Sequence, residues 1–198
     1  LPLYYFDIET TGVEPGINML LTIQYAKLSR DFEPESDLTV LKVWEFGSER
    51  DLIKFFLEES KFFEDPFVFV PVGVNLLYDV IFLYKRARLY RLVDRPLADI
   101  LRDKAFIDLK PILVILNNCE FRGYSRFIDM HMITKTRGQD IPVLYAKGEY
   151  GGIVEYIKDE YQATVKVLKQ VKKLLEKYTS LLGGVEGAEN RAIVCFYR

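Results

Sequence analysis

The sequence predicts an α/β domain, a mixed β-sheet with helices packed on it, and three observations carry that expectation. Three strand-like segments open the chain in meander order, the first two separated by a Gly/Pro turn. Short apolar runs then alternate with helical patterns. The 198 residues, 49% of them hydrophobic, suffice for one domain with a sizeable core.

Taken in order, residues 3–8 read as the first strand. Segments 17–29 (INMLLTIQYAKLS) and 38–46 (LTVLKVWEF) read as two more, with the turn VEPG ahead of the second strand. Ser48 caps a helix, Asp51 puts an acid in its first turn, and apolar residues at 52, 53, 56 and 57 give it a core stripe. PFVFVPV (66–72) is a short buried strand, and Asn75 opens a second helix that runs to Val93. A brief strand near AFIDL and a helix near KPILVILNN follow. Beyond an irregular basic stretch, Asp140-Ile141-Pro142 starts a short helix that Gly148 ends. A long helix covers 153–182, where Gly183-Gly184 stops it. Residues 1–182 therefore form the domain, and 183–198 a C-terminal tail or edge strand.

Composition narrows the function classes. The net charge is 27 − 29 = −2, so nucleic acid cannot be held by broad electrostatics, and any such contact must be local or metal-bridged. Cys119 and Cys195 give neither a disulfide framework nor zinc spacing, which suits a reducing compartment. Asp7 and Glu9 interrupt the apolar N-terminal segment, which argues against a signal peptide, and no apolar run approaches membrane length. The expected location is cytoplasmic, with no membrane partner.

Asp7 and Glu9 also raise the question of function. In YYFDIETTG they alternate with Phe6 and Ile8, so both carboxylates project from one face of the strand. Two like charges there are either solvated at an open strand end or share a divalent metal, whose preferred ligands are hard oxygens. In GVNLLYDVIFL, Asn75 sits at the cap position and Asp79 one turn in, where the helix dipole favours an anion. On the long helix the core stripe runs through Ile157, Tyr161, Thr164, Val165, Leu168, Val171 and Leu175. At about 100° per residue, Glu160 lies about 60° and Tyr156 about 100° to one side of Ile157, on the flank of the stripe. Asp159 is about 160° away, facing water.

These motifs, together with FIDLKPIL and IPVLYAKGEYGGIVEYIKDEYQATVKVL, resemble the tyrosine-type DEDD superfamily of 3′–5′ exonucleases, which has a ribonuclease H-like fold. The resemblance is to the proofreading domains of family-B DNA polymerases, in motif order over residues 4 to 170. It implies a ribonuclease H-like mixed sheet flanked by helices. It also implies phosphodiester hydrolysis at single-stranded DNA or RNA 3′ ends by two divalent ions, magnesium or manganese. Asp7 would bridge both ions, and Glu9 and Asp79 would complete their ligands. Tyr156 would position the attacking water. Thr10 and Thr11 would sit against the terminal nucleotide, and Asn75 would orient the site. The family's last acid is Asp, and the register here supplies Glu160, whose extra methylene moves the carboxylate by about 1.5 Å. The alternative is therefore an impaired nucleic-acid-binding or scaffolding module. The histidine variant of the superfamily is excluded, because Thr136 stands where its Asp would follow His131.

Outside the carboxylates, KRARLYRLVDR (85–95) and KVLKQVKKLLEK (166–177) read as solvated helix faces. The loop TKTRGQ (134–139) is the better candidate for substrate backbone contacts, through Lys135 and Arg137, because in the resembling family this loop lies near the strand. The tail resembles a degenerate clamp-docking peptide, with Asn190, Ile193, Phe196 and Tyr197 at the expected spacing. A sliding clamp is thus one partner to test, although an edge strand is the expectation for this segment.

Overall fold

The computed structural model describes residues 1–120 and 137–181. Strand β1 (Leu3–Thr10) lies at the centre of a five-stranded sheet, next to β2 (Leu20–Leu28) and followed on that side by β3 (Thr39–Lys42). On the other side lie β4 (Val70–Gly73) and β5 (Ile107–Asp108), giving the order β3-β2-β1-β4-β5. The β1–β2–β3 meander is antiparallel, and β4 and β5 run parallel to β1. This is the mixed sheet the sequence predicts.

Each sheet face is covered by helices. Phe6, Ile8 and Ile23 pack beneath α2 (Glu49–Ser60) and α3 (Leu76–Leu89), with Phe56, Phe62 and Phe69 around the Phe6 ring at centroid distances of 4.9–6.0 Å. On the opposite face Tyr5, Ala26 and Val72 meet α5 (Leu109–Leu116) and the long α7 (Tyr150–Leu181). Ser48 caps α2 by accepting the Asp51 N–H at 3.1 Å, and Leu52, Ile53, Phe56 and Leu57 are the buried stripe. Helix α6 (Ile141–Lys147) begins at Ile141-Pro142 and ends at Gly148. Among the described residues no helix is long and apolar enough to cross a membrane.

Several boundaries differ from the sequence expectation. The third strand stops at Lys42 and the chain coils into α1 (Val43–Phe46), where Trp44 stacks on Tyr150 at 4.4 Å and Phe46 meets Phe55 at 5.3 Å. Tertiary aromatic packing here outweighs strand propensity. The fourth strand begins only at Val70, leaving Phe67 and Val68 exposed, because its partner β1 starts pairing at Leu3. Helix α3 ends at Leu89, ahead of Arg91 in a left-handed conformation (φ 58°). A further helix, α4 (Leu97–Asp103), was not foreseen. In α7 the stripe from Ile157 to Val171 is buried except for half-buried Tyr161, and Leu175 is exposed. The tail residues, Gly183-Gly184 among them, and His131 lie outside the described residues.

Gly73 closes the sheet against α3: a Cβ there would lie 2.8 Å from the Phe6 carbonyl oxygen and 2.9 Å from Leu76 Cδ2. The backbone oxygen cannot retreat without moving β1. Gly73→Ala is expected to cost about 1–3 kcal/mol by overpacking, read as a lower urea midpoint with an unchanged slope.

Candidate active site

The strand alternation that buries Phe6 and Ile8 under α2 and α3 turns Asp7 and Glu9 to the other face, under α7. Helix α7 crosses that face with Tyr161 against Tyr5, ring centroids 4.9 Å apart. One residue earlier, Glu160 reaches the acids of β1. Carboxylate oxygens of Asp7, Glu9 and Glu160 lie within 4.8 Å of one another. Asp79, buried in the first turn of α3, is within electrostatic reach of Asp7, Glu9 and Glu160. Four carboxylates from three elements thus converge where the C-terminal end of β1 meets two helices.

Their environment resists ionisation. Burial, then the Glu160 charge, holds Asp7 well above the ordinary carboxylate range. Burial followed by Asp7, Glu160 and Asp79 does the same for Glu9, and burial with Asp7 and Glu160 for Asp79. Burial also raises Glu160, against a hydrogen bond that Tyr156 donates to it. Among the described residues, no Lys or Arg is ion-paired with any of the four. A compact set of hard oxygens in mutual repulsion fits a divalent cation.

Two side chains that the sequence reading missed orient the cluster. Gln24, directly opposite Asp7 on β2, donates its amide N–H to Asp7 Oδ2 at 2.7 Å. Thr22 donates to Gln24 Oε1 at 2.9 Å, which leaves the amide nitrogen to face the acid. Both are fully buried, and two polar residues alternating inside an apolar strand were the available signal. Gly138, in a 3-10 turn ahead of α6, is the second kind of omission: a Cβ there would lie 3.1 Å from the Tyr156 hydroxyl. Burial, then the Glu160 charge, raises the Tyr156 hydroxyl far above its usual range, so the phenol stays protonated and able to donate.

The other expected site residues are more varied. Thr10 donates to the Gly12 carbonyl at 2.8 Å, and Thr11 accepts the Met19 N–H at 3.0 Å, so both hydroxyls shape the β1–β2 connection beside the cluster. Asn75 occupies the cap position of α3 but does not cap through its side chain. Its backbone is left-handed (φ 61°), its N–H donates to Asp108 Oδ1 at 2.8 Å, and its Oδ1 accepts from Lys110 Nζ at 2.7 Å. These contacts to β5 and α5 hold Asn75 in place, and its backbone carbonyl accepts the Tyr78 N–H at 2.9 Å. Arg137 is exposed at the start of the 3-10 turn, and Lys135 lies outside the described residues. Asp159 is half-buried and stands apart from the three clustered oxygens.

No family model matches the sequence, and no curated protein matches it. Solved structures do match the fold. E. coli exonuclease I in complex with a 5cy-dT13 oligonucleotide has a TM-score of 0.51 at 17% identity, covering 91% of this chain and 42% of that one. The zinc-bound E. coli exonuclease I complex with single-stranded DNA gives 0.54 at 16%, covering 91% and 42%. The dA16 complex of the same E. coli enzyme gives 0.53 at 16%, covering 90% and 43%. This chain therefore spans less than half the length of the exonuclease I chains it matches. At such identities the likeness is one of fold, and that fold is the ribonuclease H-like arrangement the motif resemblance implies.

The raised carboxylates make a pH prediction for the metal-free protein. Unfolded carboxyls titrate near pH 4, so between there and their raised folded values the native state binds more protons than the unfolded one. Stability then falls as pH rises through that window. The metal-free protein is expected to melt higher at pH 5 than at pH 7, and Asp7→Asn to raise the pH 7 value by about 2–4 °C per kcal/mol of repulsion removed. Thermal scans in chelator at both pH values check this; a wild-type Tm that is higher at pH 7 contradicts it.

Proposed function

We propose that this protein is a metal-dependent 3′–5′ exonuclease of the tyrosine-type DEDD superfamily, acting on single-stranded nucleic-acid ends. The observation that carries the reading is the convergence of half-buried Asp7 and Glu160 with buried Glu9, and Asp79 beside them, in a poorly solvated site that disfavours their charges. Asp7, Glu9, Asp79 and Glu160 would hold two magnesium or manganese ions. Bound there, the ions supply Lewis-acid polarisation of the scissile phosphate and activation of water.

The chain's own groups do the positioning. Gln24 fixes the Asp7 carboxylate, so that its oxygens are aimed before any ligand arrives. Tyr156, protonated and hydrogen-bonded to Glu160, would orient a water with its hydroxyl. Thr10, at the end of β1, and Thr11, which follows it, would sit against a terminal nucleotide. Glu160 supports the enzyme over the impaired module, because its longer side chain brings an oxygen into the group with Asp7 and Glu9. The exonuclease I complexes hold single-stranded DNA, which makes DNA the first substrate to test, with RNA as the comparison.

Purified protein with manganese or magnesium is expected to shorten 5′-labelled single strands stepwise from the 3′ end. Asp7→Ala should abolish this while the protein still melts cooperatively. Glu160→Asp, which withdraws the carboxylate by about 1.5 Å, should lower the rate by about a hundredfold, the cost of such a misplacement, and Glu160→Gln, which removes the ligand charge in place, should lower it too. Asp159→Asn should leave it within about twofold of wild type. Undiminished digestion by Asp7→Ala would refute the assignment.

A further inference from the structure

A buried ion pair lies on the far side of the sheet from α7, at the connection that leaves β1. Glu49, the first residue of α2, and Arg86 of α3 are both buried and paired through two contacts, Arg86 Nε to Glu49 Oε1 at 2.8 Å and Arg86 Nη2 to Glu49 Oε2. Tyr90 donates to Glu49 Oε2 at 2.7 Å. What this pair does with its remaining bonds is specific. Arg86 Nη1 donates to the Pro15 carbonyl at 3.0 Å, and Glu49 Oε1 accepts the Leu20 N–H at 2.7 Å. Pro15 lies in the segment joining β1 to β2, and Leu20 is the first residue of β2.

Leu20 sits at a β-bulge. Pairing passes from Glu9↔Thr22 to Thr10↔Leu20, which leaves Leu21 as the extra residue. Because of the bulge, Leu20 faces the α2 and α3 side, while Leu21 packs with Ile141, Ile153 and Ile157 beneath α6 and α7. The bulge thus bends β2 beside the Glu9–Thr22 pair and seats the turn of α7 that carries Tyr156.

We propose that Glu49 and Arg86 are positioning residues for the carboxylate site: through Leu20 and Pro15 they hold the bulge, and through the bulge the aim of Glu9. The proposal rests on the metal-site reading of the acids. An ion pair serving stability alone is replaceable by apolar residues of similar volume, often without loss. The Leu20 and Pro15 anchors are not replaceable in that way.

The test is Glu49→Leu combined with Arg86→Met, compared with wild type by Mn2+ titration calorimetry, thermal melting and hydrogen exchange of residues 11–21. A folded double variant with Mn2+ affinity weakened about tenfold or more and faster exchange at Leu20 is expected. A purely structural role moves the melting temperature alone and leaves the affinity of the folded protein unchanged, and that result overturns the proposal. Should the double variant not fold, Arg86→Lys, which keeps the charge and gives up the forked geometry, decides by the same two readouts. Wild-type protein that binds no Mn2+, or binds it equally well as Asp7→Asn, overturns the metal-site reading itself, a result distinct from unchanged affinity in the double variant.

Discussion

Mutual repulsion among Asp7, Glu9, Asp79 and Glu160 is the constraint around which the rest of the structure is arranged. Left to themselves, like charges in a poorly solvated site separate, turn outward or take up protons. Here they are held together by elements that cannot easily move. β1 is the central strand, paired on both sides, and its opposite face is locked by Phe6 among Phe56, Phe62 and Phe69. The apolar half of the strand thus provides the rigidity that the acidic half requires.

The second requirement is aim. Carboxylates that merely lie close together are solvated acids; a site needs their oxygens directed at one point. Thr22 and Gln24 direct Asp7 from the neighbouring strand, and Tyr156 directs Glu160 from one helical turn away. Neutral donors do this work, so the negative potential is preserved for a cation from solution. Two basic residues of α7 are engaged in ion pairs: Lys169 with Glu33, and Lys172 with Asp31 and Glu176. The pairs to Glu33 and Asp31 link the helix to the β2–β3 connection.

The fold itself follows from the way its layers are joined. A meander gives three antiparallel strands cheaply in chain length, and the helical crossovers add two parallel ones at the other edge. β1, belonging to both halves, is where the two kinds of pairing meet. Its C-terminal end lies beside the start of α3, so a carboxylate one turn into that helix falls near those on the strand.

Which residues could share a face was legible from the chain alone. Period-two alternation placed Asp7 and Glu9 together, and the 3.6-residue period set Tyr156 and Glu160 on the flank of a buried stripe; both are local geometry and need no partner. Ser48, Asn75 and Gly148 marked helix ends for the same reason, although Asn75 holds its position by bonds to Asp108 and Lys110 and not by capping. Tertiary structure alone decided how far the strands extend, since Val43–Phe46 coils to stack its aromatics and Val70 waits for Leu3. It alone brought Gln24 opposite Asp7, because strand register is a relation between segments, and here a bulge at Leu21 resets it. It also decided the reach of Glu160: an extra methylene misplaces a carboxylate only relative to a helix axis, and where α7 crosses the sheet is fixed by packing between residues far apart in the chain.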